Sequence, residues 1–172
     1  SWKVVPAATS YQIYRSTAKD GDYQNIKTIN SVGTSSWTDG SVKTGKTYYY
    51  KIKTVVKTQN GEQTSGFSNV KSAKAVPAKT TLKAKASDAK NVKLTWSKVK
   101  GASGYEIYRS NSKDGKCSKV KTISKGSTTS YKNGKLKKST TYYYKIRAYR
   151  KVNGKKVYGS YSSVVSVKTK AK

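Results

Sequence analysis

The chain repeats itself at one register. Tyr11-Gln-Ile-Tyr-Arg-Ser16 returns as Tyr105-Glu-Ile-Tyr-Arg-Ser110, and Lys46-Thr-Tyr-Tyr-Tyr-Lys-Ile52 as Thr140-Thr-Tyr-Tyr-Tyr-Lys-Ile146, both 94 residues on. Lys19-Asp-Gly21 matches Lys113-Asp-Gly115, and Trp2 matches Trp96. A one-residue slip separates Asn60-Gly61 from Asn153-Gly154, and Phe67 and Tyr161 restore the frame. Self-similarity at a fixed period means tandem copies of one folding unit. A chain of 172 residues then holds two domains, 1–76 and 77–172, each large enough for a small core of its own. The linker Lys74-Ala-Val-Pro-Ala-Lys79 is short, and Pro77 stiffens it by fixing φ. The expectation is an extended pair with limited bending.

The copies are unequal at their starts. Copy two has about fifteen residues before Trp96, whereas copy one has Ser1 alone before Trp2. The chain is therefore expected to open inside a module, either as an excerpt of a longer protein or with another segment supplying the strand.

Within each copy the dominant period is two. Val92, Leu94 and Trp96 alternate with Lys93 and Thr95, and Tyr142, Tyr144, Ile146 and Ala148 alternate with Tyr143, Lys145, Arg147 and Tyr149. Alternation rich in β-branched and aromatic residues predicts half-buried strands. No apolar stripe of helical period is long enough for a helix. Asn60-Gly61 and Asn153-Gly154 supply the positive φ angles of a type I′ hairpin, so each pair is expected to close the last hairpin of its module. Asp20-Gly21 and Asp114-Gly115 mark an earlier hairpin. In copy two the strands fall near 81–86, 91–97, 103–109, 117–123, 127–132, 140–150 and 157–169. Seven short antiparallel strands at regular spacing predict an immunoglobulin-like sandwich of two sheets. The fold class is all-β, with two tandem seven-strand sandwiches, the first lacking its first strand and most of its second.

Charge is the other strong constraint. Residues 1–76 carry 11 Lys/Arg against 4 Asp/Glu, and residues 77–172 carry 26 against 3. Only Arg15, Arg109, Arg147 and Arg150 are arginines. Lysine is a hydrated point charge without the planar fork that reads phosphate or base edges at two points. The pattern suits diffuse attraction to polyanions and argues against specific nucleic-acid readout. No run of 18 apolar residues exists, so membrane insertion is not expected.

Catalytic chemistry finds little to work with. Without histidine there is no Ser-His-Asp or Cys-His arrangement and no imidazole metal ligand. Cys117 has no second cysteine, and its repeat mate is Tyr23, which points to a structural position. Asp20-Gly-Asp22 could hint at calcium, but copy two has Lys116 in place of the second Asp, as an ordinary turn would allow. No enzyme, cofactor or metal is expected.

The order Leu94-Thr-Trp96, Gly104-Tyr-Glu-Ile107, Leu136, then Tyr142-Tyr-Tyr-Lys-Ile-Arg-Ala148 resembles the fibronectin type III domain. The likeness is to the divergent form on secreted and surface proteins of Gram-positive bacteria. The resemblance implies that Trp96 fills the core between the sheets. It also implies that Tyr142 forms a tyrosine corner over Leu136. In copy one these roles fall to Trp2, Tyr48 and Val42. Where the family often has Tyr on strand C, this chain has Arg15 and Arg109, so that edge is expected to be wetter. The family serves mostly as spacer, adhesion module or interaction surface.

Alternation also defines a candidate contact face. Tyr143, Lys145, Arg147 and Tyr149 should line the outer side of one strand, with Tyr108 beside them. Aromatics among cations can stack on sugar rings and hold anionic groups. The corresponding ladder of copy one is Tyr49, Lys51, Lys53 and Val55, so its second tyrosine is not repeated. The expected function is a non-catalytic spacer or interaction module of an extracellular, secreted or wall-associated bacterial protein, held near an anionic wall polymer. Two alternatives stand beside it. One is a structural fibre or layer in which a neighbouring copy supplies a strand. The other is adhesion to host glycan or an extracellular polyanion through the Tyr/Lys ladder.

Overall fold

The computed structural model describes residues 1–172. It divides into two compact units, Ser1–Ala75 and Val76–Lys172, and has no helix. Unit 1 holds β1 (Ser10–Ser16), β2 (Gln24–Ile29), β3 (Thr47–Thr58), β4 (Gly61–Thr64) and β5 (Lys71–Lys74). They form one antiparallel sheet in the order β2-β1-β3-β4, with β5 also pairing β3. Unit 2 holds β6 (Leu82–Ala86), β7 (Val92–Trp96), β8 (Gly104–Ser110), β9 (Ser118–Ile123), β10 (Ser130–Asn133), β11 (Thr141–Val152), β12 (Lys155–Tyr158) and β13 (Val165–Lys168). Its sheets run β10-β7-β6 and β12-β11-β8-β9, with β13 also on β11.

Unit 2 is a two-sheet antiparallel sandwich, the architecture that the resemblance implied. The inward residues of β11, Tyr142, Tyr144, Ile146 and Ala148, meet Val92, Leu94 and Trp96 of the facing sheet, all buried in one core. Tyr142 makes the corner by accepting a hydrogen bond from the Lys137 amide at 2.9 Å, above buried Leu136. Trp96 lies against the ring of Tyr105 at 5.4 Å, whose hydroxyl accepts from the Val99 amide at 2.9 Å. A buried tyrosine needs such a partner for its polar end.

Unit 1 repeats these contacts. Tyr48 accepts from the Lys43 amide at 3.0 Å, Trp2 stands 5.3 Å from Tyr11, and Tyr11 accepts from the Val5 amide at 2.9 Å. Burial is where the copies part. Trp2 and Val42, expected in the core, are only half-buried, as are Tyr50 and Ile52, although their mates Tyr144 and Ile146 are fully enclosed. The reason is that residues 1–75 form no second sheet. Residues 1–9 contain no strand, and neither do 36–39, the repeat mates of β10. The inner face of the unit 1 sheet is consequently an open cleft of about 1050 Å³, lined by Trp2, Ile13, Trp37, Val42, Tyr48 and Ile52 among others.

Two further expectations change in detail. The single last strand predicted over 157–169 is broken into β12 and β13. Between them the Ser162 hydroxyl accepts from the Ile146 amide at 3.1 Å, replacing a ladder carbonyl; Ser68 does the same for Ile52 at 3.0 Å. The Asn-Gly turns also differ. Asn153 and Gly154 both have positive φ, at 48° and 75°, as a type I′ turn requires. In unit 1, Thr58 pairs with Gly61, so Gln59 and Asn60 make the loop, and only Gly61 has positive φ, at 117°. The sequence slip is thus absorbed within this turn and the segment that follows it. The inner Arg positions are tied down in both units. Arg15 donates to Asp39 at 2.7 Å and Arg109 to Asn133 at 3.3 Å. Burial raises the Asp39 carboxyl, but hydrogen bonds from Ser41, Arg15 and Tyr50 outweigh it and hold the group below its ordinary range.

Ser139, in the tyrosine-corner loop, holds φ at 48°, and its repeat mate Gly45 holds 90°. The left-handed region costs a residue with a Cβ roughly 1–2 kcal/mol. Ser139→Gly is expected to stabilise unit 2 by about 0.5–1 kcal/mol after the extra chain entropy of glycine is subtracted, seen as a higher urea midpoint. A lower midpoint would mean that the serine side chain supplies more than the strain removes.

Candidate functional site

The outer face of the sheet built on β3 in unit 1 and on β11 in unit 2 carries the polar aromatics and cations, because side chains on these strands alternate between the two sides of the sheet. In unit 2 the centre of that face is Glu106 on β8, directly across from Arg147 on β11. Its side chain is 1% exposed. Arg147 donates to it at 2.9 Å, the Tyr108 hydroxyl at 2.8 Å, Lys156 at 3.0 Å and the Tyr158 hydroxyl at 3.2 Å. Lys119 reaches it at 3.5 Å. Burial alone would raise this carboxyl; the hydrogen bonds from Arg147, Lys156 and Tyr108 outweigh burial and bring it down to about 2. Burial, and then hydrogen bonding with Tyr161 and Glu106, push the Tyr108 phenol up.

Tyrosines then cover the guanidinium. The Arg147 carbon lies 3.7 Å from the Tyr158 ring centre, 4.9 Å from Tyr161 and 5.4 Å from Tyr108. Tyr108 and Tyr161 meet edge to face at 5.2 Å, and the Lys145 ammonium sits 4.5 Å over Tyr161. The expected ladder is therefore partly assembled and partly consumed. Tyr108, Lys145 and Arg147 come together, with Arg147 already committed to Glu106. Tyr143 stands apart, half-buried between Ser110 and Ser166 on the flanking strands.

Tyr149 departs from the expectation. It is 1% exposed and is not available as a contact residue. It pairs with Gly104 across the strands, where the absent side chain leaves room for its ring; a Cβ on Gly104 would strike that ring. An aromatic ring laid over a cross-strand glycine is a common way to close such a gap. Its hydroxyl donates to the Ile123 carbonyl at 3.3 Å, Tyr158 packs beside it at 6.2 Å, and the Lys156 ammonium covers the ring at 4.5 Å. In unit 1 the same pair is Ser10 and Val55.

The unit 1 face has the same plan with different charges. Gln12 replaces Glu106, Lys53 replaces Arg147, and Phe67 replaces Tyr161. Tyr14 and Phe67 meet edge to face at 5.0 Å. The Lys51 ammonium lies between two rings, 3.9 Å from Phe67 and 4.1 Å from Tyr23. Lys53 lies 4.4 Å from Phe67. Alternation along β3 could not point to Tyr23 and Phe67, which come from elsewhere in the chain; the signal was the restored repeat frame at Phe67 and Tyr161. No group of three His, Cys, Asp or Glu side chains comes together in either unit.

Comparison with known proteins adds the following. No family model matches the chain. A stretch of 55 residues is 44% identical to an amylopullulanase of Thermoanaerobacter thermohydrosulfuricus, spanning 32% of this chain and 4% of that protein. Among solved structures, the FN1–FN3 domains of chicken CNTN1 give a TM-score of 0.48 at 20% identity, over 94% of this chain and 56% of that one. FN3tt gives 0.46 at 21% identity, over 57% of this chain and 99% of that one.

The Glu106 network makes a pH prediction. Its folded carboxyl lies at about 2, below the ordinary 4.5, so its contribution is complete above that ordinary value and is lost as pH falls towards 2. The loss should reach roughly 3 kcal/mol. Glu106→Gln should abolish that share of the acid sensitivity, measured as unit 2 stability in urea at pH 5 and at pH 2. Gln12 occupies the same position in unit 1, so the fold accommodates the change. An equal acid loss in the variant would place the sensitivity elsewhere.

Proposed function

We propose that these fibronectin type III-like units form a non-catalytic spacer and interaction module of an extracellular bacterial protein, held near anionic cell-wall polymers by its lysines. The observation that carries this reading is the imbalance of 37 Lys/Arg against 7 Asp/Glu. Of the five ion pairs, three converge on Glu106, which leaves most ammonium groups facing solvent without an acid. Kinship of a short stretch with a small part of an amylopullulanase supports a module carried beside other domains. Attraction of this kind works by displacing counterions from the polymer. Binding of the chain to poly(glycerol phosphate) should therefore fall on the order of a hundredfold between about 50 and 200 mM salt, read by titration calorimetry. An affinity indifferent to salt would overturn it.

A second reading, assembly by strand complementation, is favoured by the open inner face of the unit 1 sheet. In unit 2 the corresponding face is covered by β6, β7 and β10. A strand pair from a neighbouring copy could seal it and bury the half-exposed Trp2, Val42 and Ile52, at roughly 25 cal/mol per Å² of apolar surface. Regular multimers in light scattering and micrographs are the expected outcome. A monodisperse monomer at high concentration would exclude this route.

A further inference from the structure

The geometry points to the outer face of unit 1, at Lys51, Lys53, Phe67 and Tyr23, as a binding site for an acidic glycan, in preference to the equivalent face of unit 2. This deepens the polyanion reading above and rests on it. The two faces share one backbone frame and one edge-to-face aromatic pair, Tyr14–Phe67 and Tyr108–Tyr161. They differ in what their cations already hold. In unit 2 the Glu106 carboxylate engages Arg147, Lys156 and Lys119, so these cations already spend hydrogen-bond donors on an internal acid, although one carboxylate balances only one of the three charges. In unit 1 the residue at that position is Gln12, whose amide oxygen accepts only from the Tyr14 hydroxyl, at 2.9 Å.

Lys51 and Lys53 make no ion pair; the nearest acids in sequence, Asp39 and Glu62, are taken by Arg15 at 2.7 Å and Lys57 at 3.6 Å. Two ammonium groups are therefore gathered on one aromatic ring with no anion between them. Ring faces lower the cost of bringing the ammonium groups close but leave their N–H donors free for an anionic oxygen. Phe67 is itself 43% exposed, an apolar plate beside the charges. A carboxylate or phosphate on a sugar would meet the ammonium groups while the C–H face of the ring lies on Phe67.

The test measures affinity at one low salt concentration for hyaluronate, a uronate glycan, and for polyphosphate, a polyanion without sugar rings. Lys51→Gln with Lys53→Gln is compared with a charge-matched control, Lys85→Gln with Lys93→Gln, on the other sheet of unit 2. The site predicts a loss of roughly tenfold or more for the first pair and under about threefold for the control. Phe67→Ala should weaken hyaluronate by about fivefold while leaving polyphosphate nearly unchanged. Unfolding midpoints matching the parent chain confirm that the variants are folded. Equal losses for the two double variants would overturn the site and leave the diffuse polyanion reading standing. An equal effect of Phe67→Ala on both polymers would overturn the glycan. Failure of the parent chain to bind either polymer would remove both proposals together.

Discussion

One long strand in each unit does two jobs at once, and the rest of the structure depends on that constraint. β11 pairs with β8 along seven residues and turns Tyr142, Tyr144, Ile146 and Ala148 into the core. The same backbone necessarily turns Tyr143, Lys145 and Arg147 outward, because a strand has no other face. A one-residue change of register would exchange the two sets, placing cations between the sheets. The corner bond from Lys137 to Tyr142 and the bridging serine at Ser162 keep the ends and edge of β11 in that register. β3 is held in the same way by the Lys43 bond to Tyr48 and by Ser68.

With the backbone frame common to both copies, a few side chains decide how the units differ. Exchanging Gln12 for Glu106 converts an outer face whose cations have no acid partner into a buried ion cluster. Exchanging Ser10 and Val55 for Gly104 and Tyr149 puts an aromatic ring where unit 1 buries an aliphatic side chain. Each change is local, yet each redistributes charge or aromatic surface over a whole face. A tandem repeat can in this way keep one fold and present two surfaces of different chemistry.

Much of the fold was legible in the residues. The alternation on β7 and β11 and the Asn153-Gly154 turn follow from spacing and local conformational preference, which act over a few residues, whereas the Trp96 and Tyr142 roles came only with the resemblance to the fibronectin type III domain. The candidate site was legible only in part. Tyr108, Lys145 and Arg147 share a face, as the period of two requires. Tyr149 has the same parity and is nevertheless buried, because what covers it comes from β8, β9 and β12. Tyr161, Phe67 and Tyr23 join the faces from segments whose approach no local pattern records. The break between β12 and β13 likewise turns on the Ser162 hydroxyl meeting the Ile146 amide of β11.

By itself the sequence determined that there are two copies of one β-rich module, which way the side chains of their long strands alternate, and that the surface is strongly basic. These are properties of composition and of near neighbours along the chain. Tertiary structure alone decided which cations are already paired and which tyrosines are covered. Such outcomes depend on groups far apart in sequence meeting within a few ångströms, where burial and the geometry of hydrogen bonds set the balance.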